Sequence, residues 1–269
     1  MEEQQFDNRS RFNGISELYH AVRPHFPQEA LRLLKYYTGK SVQCTIDLGC
    51  GTGLSTRALL ELSETVIGID PNADMLARAT AFLGDAKGVF LCQGTAENIS
   101  AGDASADLIV CSQAFHWMRP DMAIPEICRV LRPDGVFAAV DYDWPGVFDW
   151  RCERAYEELI RASERVLQCH PELSDATHKW DKRRHVENLK TFGVFRYVRE
   201  IVFCTEETCT AERFCLMALS QSGVQLVLRS EWAQELDNAV QALRHEAQQA
   251  AGRGVQTITI PYRMRLAIR

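Results

Sequence analysis

Short apolar runs alternate with amphipathic stretches along the first half of the chain. The apolar runs are rich in β-branched residues and predict five strands at Val42–Leu48, Thr65–Ile69, Val89–Cys92, Asp107–Ser112 and Val136–Asp141. Helical periodicity predicts helices at Pro27–Tyr37, Leu54–Leu62, Ala73–Leu83 and Met122–Leu131. This alternation predicts a parallel sheet with right-handed crossovers, and hence an α/β fold.

The alternation stops after Asp141, and helical patterns dominate the second half. These patterns cover Arg151–Gln168, Lys182–Thr191, Ala211–Leu219 and Ser230–Ala251. Two further strands are expected at Tyr197–Cys204 and Val255–Pro261. Ligands of open parallel sheets bind at the carboxyl ends of the strands, so helices inserted after the fifth strand are expected to form a lid over that edge.

The first predicted strand ends in a glycine-rich turn, Asp47-Leu48-Gly49-Cys50-Gly51-Thr52-Gly53. Glycine permits positive φ there and leaves backbone N–H groups open to a ligand. Asp70 ends the next strand, roughly 20 residues after Gly49, where a carboxylate can accept hydrogen bonds from ribose hydroxyls. The two features together predict a nucleoside site.

The glycine spacing distinguishes between two kinds of cofactor. A dinucleotide fold requires Gly-x-Gly-x-x-Gly before a helix that faces a pyrophosphate, but the third glycine would fall on Leu54. Asp47 would also repel a pyrophosphate and attract an ammonium group. The stretch therefore resembles the S-adenosylmethionine loop of class I methyltransferases, and a nicotinamide oxidoreductase is disfavoured.

The resemblance implies a Rossmann-like, seven-stranded, mostly parallel sheet with an antiparallel last strand, helices on both faces and helical lid insertions. It covers Val42–Asp141 strongly and the last strands weakly. It implies a single methyltransferase domain over residues 1–269. The parts of that domain would be an N-terminal cofactor-covering segment at 1–40, a core that binds S-adenosylmethionine at 42–141 and lid insertions at 142–192 and 207–252.

The resemblance also implies which residues surround the cofactor. Asp47 would face the methionine ammonium group, Asp70 would bind the ribose, and Ala96 and Glu97 would meet the adenine edge. The other cofactor-binding candidates lie at the same strand ends and are Gly49, Cys50, Gly51, Pro71, Met75, Thr95, Ser112 and Gln113. No metal is expected.

His116 is the first candidate for a catalytic role. It follows the fourth predicted strand, and the ordinary histidine pKa of about 6.5 suits a proton acceptor at neutral pH. A purely structural His116 beside Trp117 is the alternative.

Tyr19 is the second catalytic candidate. With Phe6, Phe12 and Arg23 it resembles the opening of small-molecule methyltransferases of the trans-aconitate and ubiquinone-type group, in which this segment folds over the cofactor. Tyr19 would then touch the methionine moiety or the acceptor, and Arg23 would pin the segment or meet a carboxylate. An aromatic stripe that packs the first helix is the alternative.

Composition narrows the partners and the location. Lys and Arg total 30 against 36 for Asp and Glu, so the net charge is −6 and nucleic acid is not an expected partner. The chain contains no apolar run of about 18 residues, and its acidic start is unlike a signal peptide, so we expect a cytoplasmic protein that does not bind a membrane. The ten cysteines lack a Cys-x-x-Cys spacing and are expected to be buried thiols in a reducing compartment.

These features predict a methyltransferase that moves a methyl group from S-adenosylmethionine to a small molecule and releases S-adenosylhomocysteine. The acceptor would be an oxygen or nitrogen nucleophile or a carboxylate, attacked in line. Residues 112–117 lack the Asn-Pro-Pro-Tyr motif typical of enzymes that methylate bases or glutamine. A non-catalytic module that binds S-adenosylmethionine and a methyltransferase for a protein substrate remain open. No sequence feature selects an oligomeric state.

Overall fold

The computed structural model describes residues 14–39, 41–173, 178–251 and 256–269. Phe6 and Phe12 lie outside the described residues, as do the first part of the N-terminal segment 1–40 and the end of the insertion 207–252. Val255, the predicted first residue of the last strand, also lies outside them.

The described residues place seven strands in one sheet of order β3-β2-β1-β4-β5-β7-β6. The strands are β1 Val42–Leu48, β2 Ser63–Asp70, β3 Val89–Gln93, β4 Ala106–Ser112, β5 Leu131–Tyr142, β6 Tyr197–Cys209 and β7 Gln256–Ile268. The first five pair in parallel, and β7 pairs with β5 antiparallel. The predicted fold class, a mostly parallel sheet with an antiparallel last strand, is confirmed.

Ten α-helices accompany the strands in the described ranges. They are α1 Ser16–Val22, α2 Gln28–Thr38, α3 Leu54–Leu59, α4 Ala73–Leu83, α5 Pro120–Val130, α6 Trp150–Cys169, α7 His185–Thr191, α8 Ala211–Leu219, α9 Ser222–Leu228 and α10 Asp237–Ala251. None of them combines the length and apolarity that a bilayer crossing requires.

The chain divides into two compact units. The sheet unit comprises His25–Tyr142, His178–Phe203 and Tyr262–Arg269, and the helical unit comprises the described parts of Met1–Pro24, Asp143–Thr177 and Cys204–Pro261. The predicted insertion 142–192 is therefore divided between the two units, because its residues from His178 onward belong to the sheet unit.

Each unit has its own apolar core. In the sheet unit the central strands β4 and β5 are almost continuously buried, as expected for parallel strands covered on both faces. Ile109 and Phe137 from these strands belong to one buried apolar cluster with Ile127 of α5. In the helical unit the amphipathic helix α6 packs against α8, α9 and α10.

Three predicted boundaries were wrong for local reasons. Helix α3 ends at Leu59 instead of Leu62, because β2 already begins at Ser63. The strand predicted to begin at Val136 already begins at Leu131 as β5, and in the added stretch Asp134 takes φ +65° and the pairing with β4 is irregular. The last long helix begins at Asp237 instead of Ser230, since the Ser230 hydroxyl accepts the N–H of Trp232 and forms a turn.

The order of the strands marks one place for a ligand. From β1 the chain first builds β2 and β3 on one side and then crosses to β4 and β5 on the other. A crevice opens at such a switch point, outside the carboxyl ends of the two strands that flank it. Here these strands are β1, which leads into the glycine-rich turn, and β4, which leads into Gln113.

Candidate functional site

Asp70 joins the end of β2 to the glycine-rich turn. The backbone N–H of Gly51 donates to its Oδ2 at 2.9 Å, and that of Asn72 donates to its Oδ1 at 2.9 Å. Burial raises the pKa of Asp70, whereas these two hydrogen bonds oppose the rise. The carboxylate is thus fixed in orientation, and each oxygen keeps a lone pair for a hydroxyl group of a ligand.

The glycines of the turn are required for two different reasons. Gly49 and Gly51 have φ values of +75° and +54°, which favour glycine over other residues. A Cβ added at Gly49 would lie 2.4 Å from Cβ of Ala114, so Gly49 lets the turn pack against the segment after β4. A Cβ added at Gly51 would meet no atom within 4 Å, so that backbone faces open space.

Asp47 lies in β1, just before this turn, and its two carboxylate oxygens differ in their hydrogen bonding. Its Oδ2 accepts hydrogen bonds from the hydroxyls of Ser55 at 2.8 Å and Thr56 at 2.6 Å. Its Oδ1 is buried and has no hydrogen-bond partner among the described residues. Burial raises the pKa of Asp47 to about 6 despite the two hydroxyls. A buried carboxylate oxygen without a donor is costly, and an ammonium group would supply the missing donor.

The candidates for the adenine side follow β2 and β3. Ala96 is buried, and Glu97 accepts the backbone N–H of Arg119 at 3.0 Å and so holds the start of α5. The remaining candidates lie at the same edge: Met75 and Cys50 are buried, Pro71 accepts a hydrogen bond from Gln93 at its carbonyl, and Thr95 bridges to Asn98.

Ser112 and Gln113 are half-buried at the end of β4. Gln113 has φ +54°, an uncommon value for a residue other than glycine, and its N–H donates to the carbonyl of Val140 at 3.0 Å. Its side-chain Oε1 accepts from Nζ of Lys182 at 3.1 Å. Its Nε2 is buried and has no hydrogen-bond partner within the described ranges.

His116 is buried, and its environment differs from the one assumed from sequence. Nδ1 lies 3.6 Å from Oδ1 of Asp141, and the ring centroid lies 4.8 Å from that of Trp117. Burial, reinforced by the charge of Lys182, lowers the pKa of His116 to about 3. The ordinary pKa on which its proposed role rested therefore does not apply, and His116 is neutral at pH 7.

Asp141, at the end of β5, is the centre of a charged cluster that sequence reasoning missed. Nζ of Lys182 lies 2.9 Å from its Oδ1, and a guanidinium nitrogen of Arg265 lies 2.9 Å from its Oδ2. His185 is fully buried at 3.9 Å from Oδ2, and burial lowers its pKa to about 4. Burial alone would raise the pKa of Asp141, but Lys182 and His116 hold it well below its ordinary range.

Tyr19 belongs to the helical unit. The guanidinium carbon of Arg23 lies 4.6 Å from the centre of its ring and 5.4 Å from that of Trp144. Arg23 is buried and donates to the carbonyl of Ser220 at 3.0 Å, so it ties the end of α1 to the end of α8. Arg23 thus links α1 to α8 within the helical unit, and its contact with a carboxylate and the contact of Tyr19 with a ligand stay predictions.

The structure brings most of the predicted site together at one edge of the sheet unit. Asp47, the glycine-rich turn and Asp70 meet there, and Gln113 and His116 follow the adjacent strand. A seven-stranded sheet of this order, with a glycine-rich turn after β1 and an acid at the end of β2, resembles the arrangement of class I methyltransferases that use S-adenosylmethionine.

Comparison with known families agrees with this assignment. The model of a family described as a methyltransferase domain matches residues 46–139, which run from β1 into β5. The segment from residue 46 to residue 139 is therefore similar to the methyltransferase domain of class I, S-adenosylmethionine-dependent enzymes.

Curated relatives match the same part of the chain. An uncharacterized methyltransferase of Mycobacterium tuberculosis is 40% identical over 124 residues, which are 46% of this chain and 49% of the relative. A probable S-adenosylmethionine-dependent methyltransferase of Saccharomyces cerevisiae is 29% identical over 143 residues, 51% of this chain and 49% of the relative. The chain thus matches about half the length of these curated relatives.

Solved structures share the fold over most of the chain. The YcgJ protein of Bacillus subtilis has a TM-score of 0.58 at 18% identity and covers 90% of this chain and 99% of its own. Phosphoethanolamine N-methyltransferase 2 of Haemonchus contortus, solved with phosphomonomethylethanolamine and S-adenosylhomocysteine, has a TM-score of 0.57 at 16% identity. It covers 97% of this chain and 60% of its own. At these identities the likeness shows the fold alone.

Proposed function

We propose that this chain is an S-adenosylmethionine-dependent methyltransferase that acts on a small molecule. The observation that carries the proposal is the pairing of an unsatisfied, buried oxygen of Asp47 with the fixed carboxylate of Asp70 on either side of one glycine-rich turn. An ammonium group fits the first, and ribose hydroxyls fit the second. The open space in front of Gly51 leaves room for the ligand that carries both groups.

In this proposal the bound cofactor supplies a methyl group activated by a positively charged sulfur, and the protein supplies position. Asp47 holds the amino-acid end, Asp70 holds the ribose, and Gly49 and Gly51 let the backbone approach. Holding the reacting groups in line can contribute about 7 to 11 kcal/mol to the lowering of the barrier. The other proposed contacts are Cys50, Pro71, Met75, Thr95, Ala96, Glu97, Ser112 and Gln113.

His116 and Tyr19 are the proposed residues near the acceptor. A neutral histidine whose pKa is about 3 is a weak base at pH 7, so the buried His116 favours an acceptor that is already ionised, such as a carboxylate. An amine or hydroxyl acceptor would require the pKa of His116 to rise when the acceptor binds. Tyr19 would contact the methionine moiety or the acceptor.

The remaining parts of the proposal concern the surroundings of the site. The insertions 142–192 and 207–252 would form the lid, and residues 1–40 would contribute the cofactor-covering segment. A cytoplasmic location is part of the proposal, in keeping with ten cysteines that lack a Cys-x-x-Cys spacing. A methyltransferase for a protein substrate is the alternative, and the acceptor screen described next distinguishes the two.

The proposed function is tested by calorimetric titration of S-adenosylhomocysteine into the protein, with NAD as the control ligand. We expect micromolar binding of the first and no binding of the second. Release of S-adenosylhomocysteine from S-adenosylmethionine is then screened with small carboxylic acids, amines and phenols, and separately with proteins. Binding without turnover of any acceptor would favour a non-catalytic module, and preference for NAD would refute the proposal.

Gly51→Ala is expected to weaken binding of S-adenosylhomocysteine about tenfold or more. The added methyl group would occupy the open space in front of the turn and exclude the ligand, a steric cost of about 1 to 3 kcal/mol. The affinity is measured by calorimetry and the stability by thermal denaturation.

Gly39→Ala is the matched control for this variant. Gly39 follows α2, has φ +61° and also has no atom within 4 Å of an added Cβ. Both variants should therefore carry the same backbone strain, about 1 to 2 kcal/mol, but only the change at Gly51 should affect binding. Equal affinities of the two variants would contradict the placement of the ligand at the turn.

Binding of S-adenosylhomocysteine is also expected to weaken as the pH falls below about 6. The pKa of Asp47 is raised from 3.8 to about 6, so the carboxylate that attracts the ammonium group is lost by protonation in this range. The affinity should be constant near pH 7.5 and should fall by up to about tenfold per pH unit at lower pH. Calorimetry in a series of buffers measures the affinity at each pH.

Acid unfolding through Asp47 does not explain such a loss. Because the folded pKa lies above the unfolded one, the folded protein binds more protons between pH 3.8 and about 6, and Asp47 stabilises the fold as the pH falls. Asp47→Asn should bind more weakly at pH 7.5 and should show a much flatter pH dependence. An unchanged pH profile in that variant would assign the dependence to another group.

A further inference from the structure

Lys182 reaches the candidate site from outside the glycine-rich core. It lies in a short 3-10 turn before α7, and its side chain is 24% exposed. Its Nζ lies 2.9 Å from Oδ1 of Asp141 and donates to Oε1 of Gln113 at 3.1 Å. One ammonium group thus connects the segment before α7 to the ends of both β4 and β5.

The position of this ammonium group is determined by several contacts. Asp141 is buried and is held from the other side by Arg265, whose Nε donates to Glu200 at 2.8 Å. The same segment is fixed to the sheet by the N–H of Trp180, which donates to the carbonyl of His116 at 2.8 Å. Lys182 therefore has little freedom to move relative to β4.

The contact with Lys182 sets the orientation of the Gln113 side chain. An ammonium group can only donate, so it must face the carboxamide oxygen, and the amide Nε2 is turned the other way. This Nε2 is buried and lacks a hydrogen-bond partner in the described parts of the chain. Leaving a buried donor unpaired is unfavourable, so the position of Nε2 favours a ligand that supplies an acceptor oxygen.

Gln113 stands where the amino-acid end of the proposed cofactor would lie. It follows β4 at the switch point, and its neighbour Ala114 touches Gly49 of the turn. Asp47, the proposed partner of the ammonium group, lies opposite Val110 on the adjacent strand. The Asp47 carboxylate in β1 can accept hydrogen bonds from the ammonium group of an amino acid. The Gln113 amide after β4 can donate to the carboxylate of the same amino acid.

We propose that Lys182 is a positioning residue, which holds Gln113 so that its Nε2 donates to the carboxylate at the amino-acid end of the bound cofactor. The inference rests on the proposed function. It adds to the site a residue from outside the glycine-rich core, and it accounts for the unpaired amide of Gln113.

The test is a double-mutant cycle of Lys182→Met and Gln113→Leu, with two ligands. S-adenosylhomocysteine carries the amino-acid end, and 5′-methylthioadenosine lacks it. Each single variant should bind S-adenosylhomocysteine about tenfold more weakly, the range for a hydrogen bond to a charged group. The double variant should be no weaker than Gln113→Leu, and none of the variants should change the affinity for 5′-methylthioadenosine.

Two further variants separate positioning from general damage. Arg183→Met changes the neighbouring, 90% exposed side chain, which pairs with Asp181, and should bind like the wild type. Gln113→Glu keeps a partner for Lys182 but presents a carboxylate instead of a donor, so it should fold and bind S-adenosylhomocysteine most weakly. This variant keeps the test valid if Lys182→Met lowers the melting temperature strongly.

The outcomes distinguish this inference from the proposed function. If the wild type does not bind S-adenosylhomocysteine, the proposed function fails. If the wild type binds and folded Lys182→Met binds equally well, the positioning role alone is refuted. If the losses of affinity multiply in the double variant, Lys182 acts independently of Gln113 and the role is refuted. An equal loss of affinity for 5′-methylthioadenosine would also refute it, because Lys182 would then act independently of the amino-acid end.

Discussion

Arg265→Leu is expected to lower the free energy of unfolding by about 3 to 5 kcal/mol, the cost of removing one partner from a buried ion pair. Arg265 is 3% exposed and donates to Asp141 at 2.9 Å and to Glu200 at 2.8 Å. Without the guanidinium group, Lys182 is the cation that remains beside Asp141 in the part of the chain that the structure describes. The leucine cannot replace the lost hydrogen bonds, so a buried charge would be left only partly compensated.

Equilibrium denaturation with urea measures this effect, and Arg196→Leu is the control. Arg196 also forms an ion pair in the sheet unit, with Asp134, but both side chains are more than half exposed. Removing an exposed pair costs about 0 to 1 kcal/mol. Similar losses in the two variants would show that the cluster around Asp141 is no more important to stability than a surface pair.

The elements that sequence predicts well here are those whose signal is local. The strand Val42–Leu48 and the helix Ala73–Leu83 were predicted with the bounds that the structure shows. Each has a strong boundary signal in the sequence. Glycines follow the end of the strand, and the Asn72 side chain caps the start of the helix. The neighbourhood of Asp70 and Gly51 also follows from sequence, because adjacent parallel strands bring their ends to one edge.

The cluster around Asp141 was not predicted, because its partners are far apart in sequence. Arg265 is 124 residues from Asp141, and it lies beyond the predicted end of the last strand at Pro261. Lys182 begins a predicted helix and has the sequence appearance of an exposed lysine. No periodicity connects these three residues, and only the pairing of β5 with β7 brings two of them together.

Burial is the second property that the sequence pattern leaves undetermined. His116 and Asp47 were assigned roles from their ordinary chemistry, but burial lowers the pKa of His116 to about 3 and raises the pKa of Asp47 to about 6. For Asp47 the shift adds a pH dependence to the proposed role. For His116 the lowered pKa removes the reason for expecting this residue to act as a base. The proposed acceptor is therefore one that is already ionised.

Asp70→Ala is expected to weaken binding of S-adenosylhomocysteine by about 2 to 3 kcal/mol, or about 30- to 150-fold. Asp70 is the proposed partner of two ribose hydroxyls, and its carboxylate is aimed by the N–H groups of Gly51 and Asn72. The variant loses the hydrogen bonds to the ligand and also the hydrogen bond that joins the glycine-rich turn to β2. Calorimetric titration measures the affinity.

Asp85→Ala is the matched control for this change. Asp85 is exposed after α4, so its replacement removes the same charge at a position away from the strand ends. It should bind like the wild type, and both variants should melt cooperatively. Asp70→Asn should also bind weakly, since the amide nitrogen would face one of two backbone N–H donors. Unchanged affinity in a folded Asp70→Ala variant would exclude the ribose contact, and Asp47 and Glu97 would then be the acids left to explain recognition of a nucleoside cofactor.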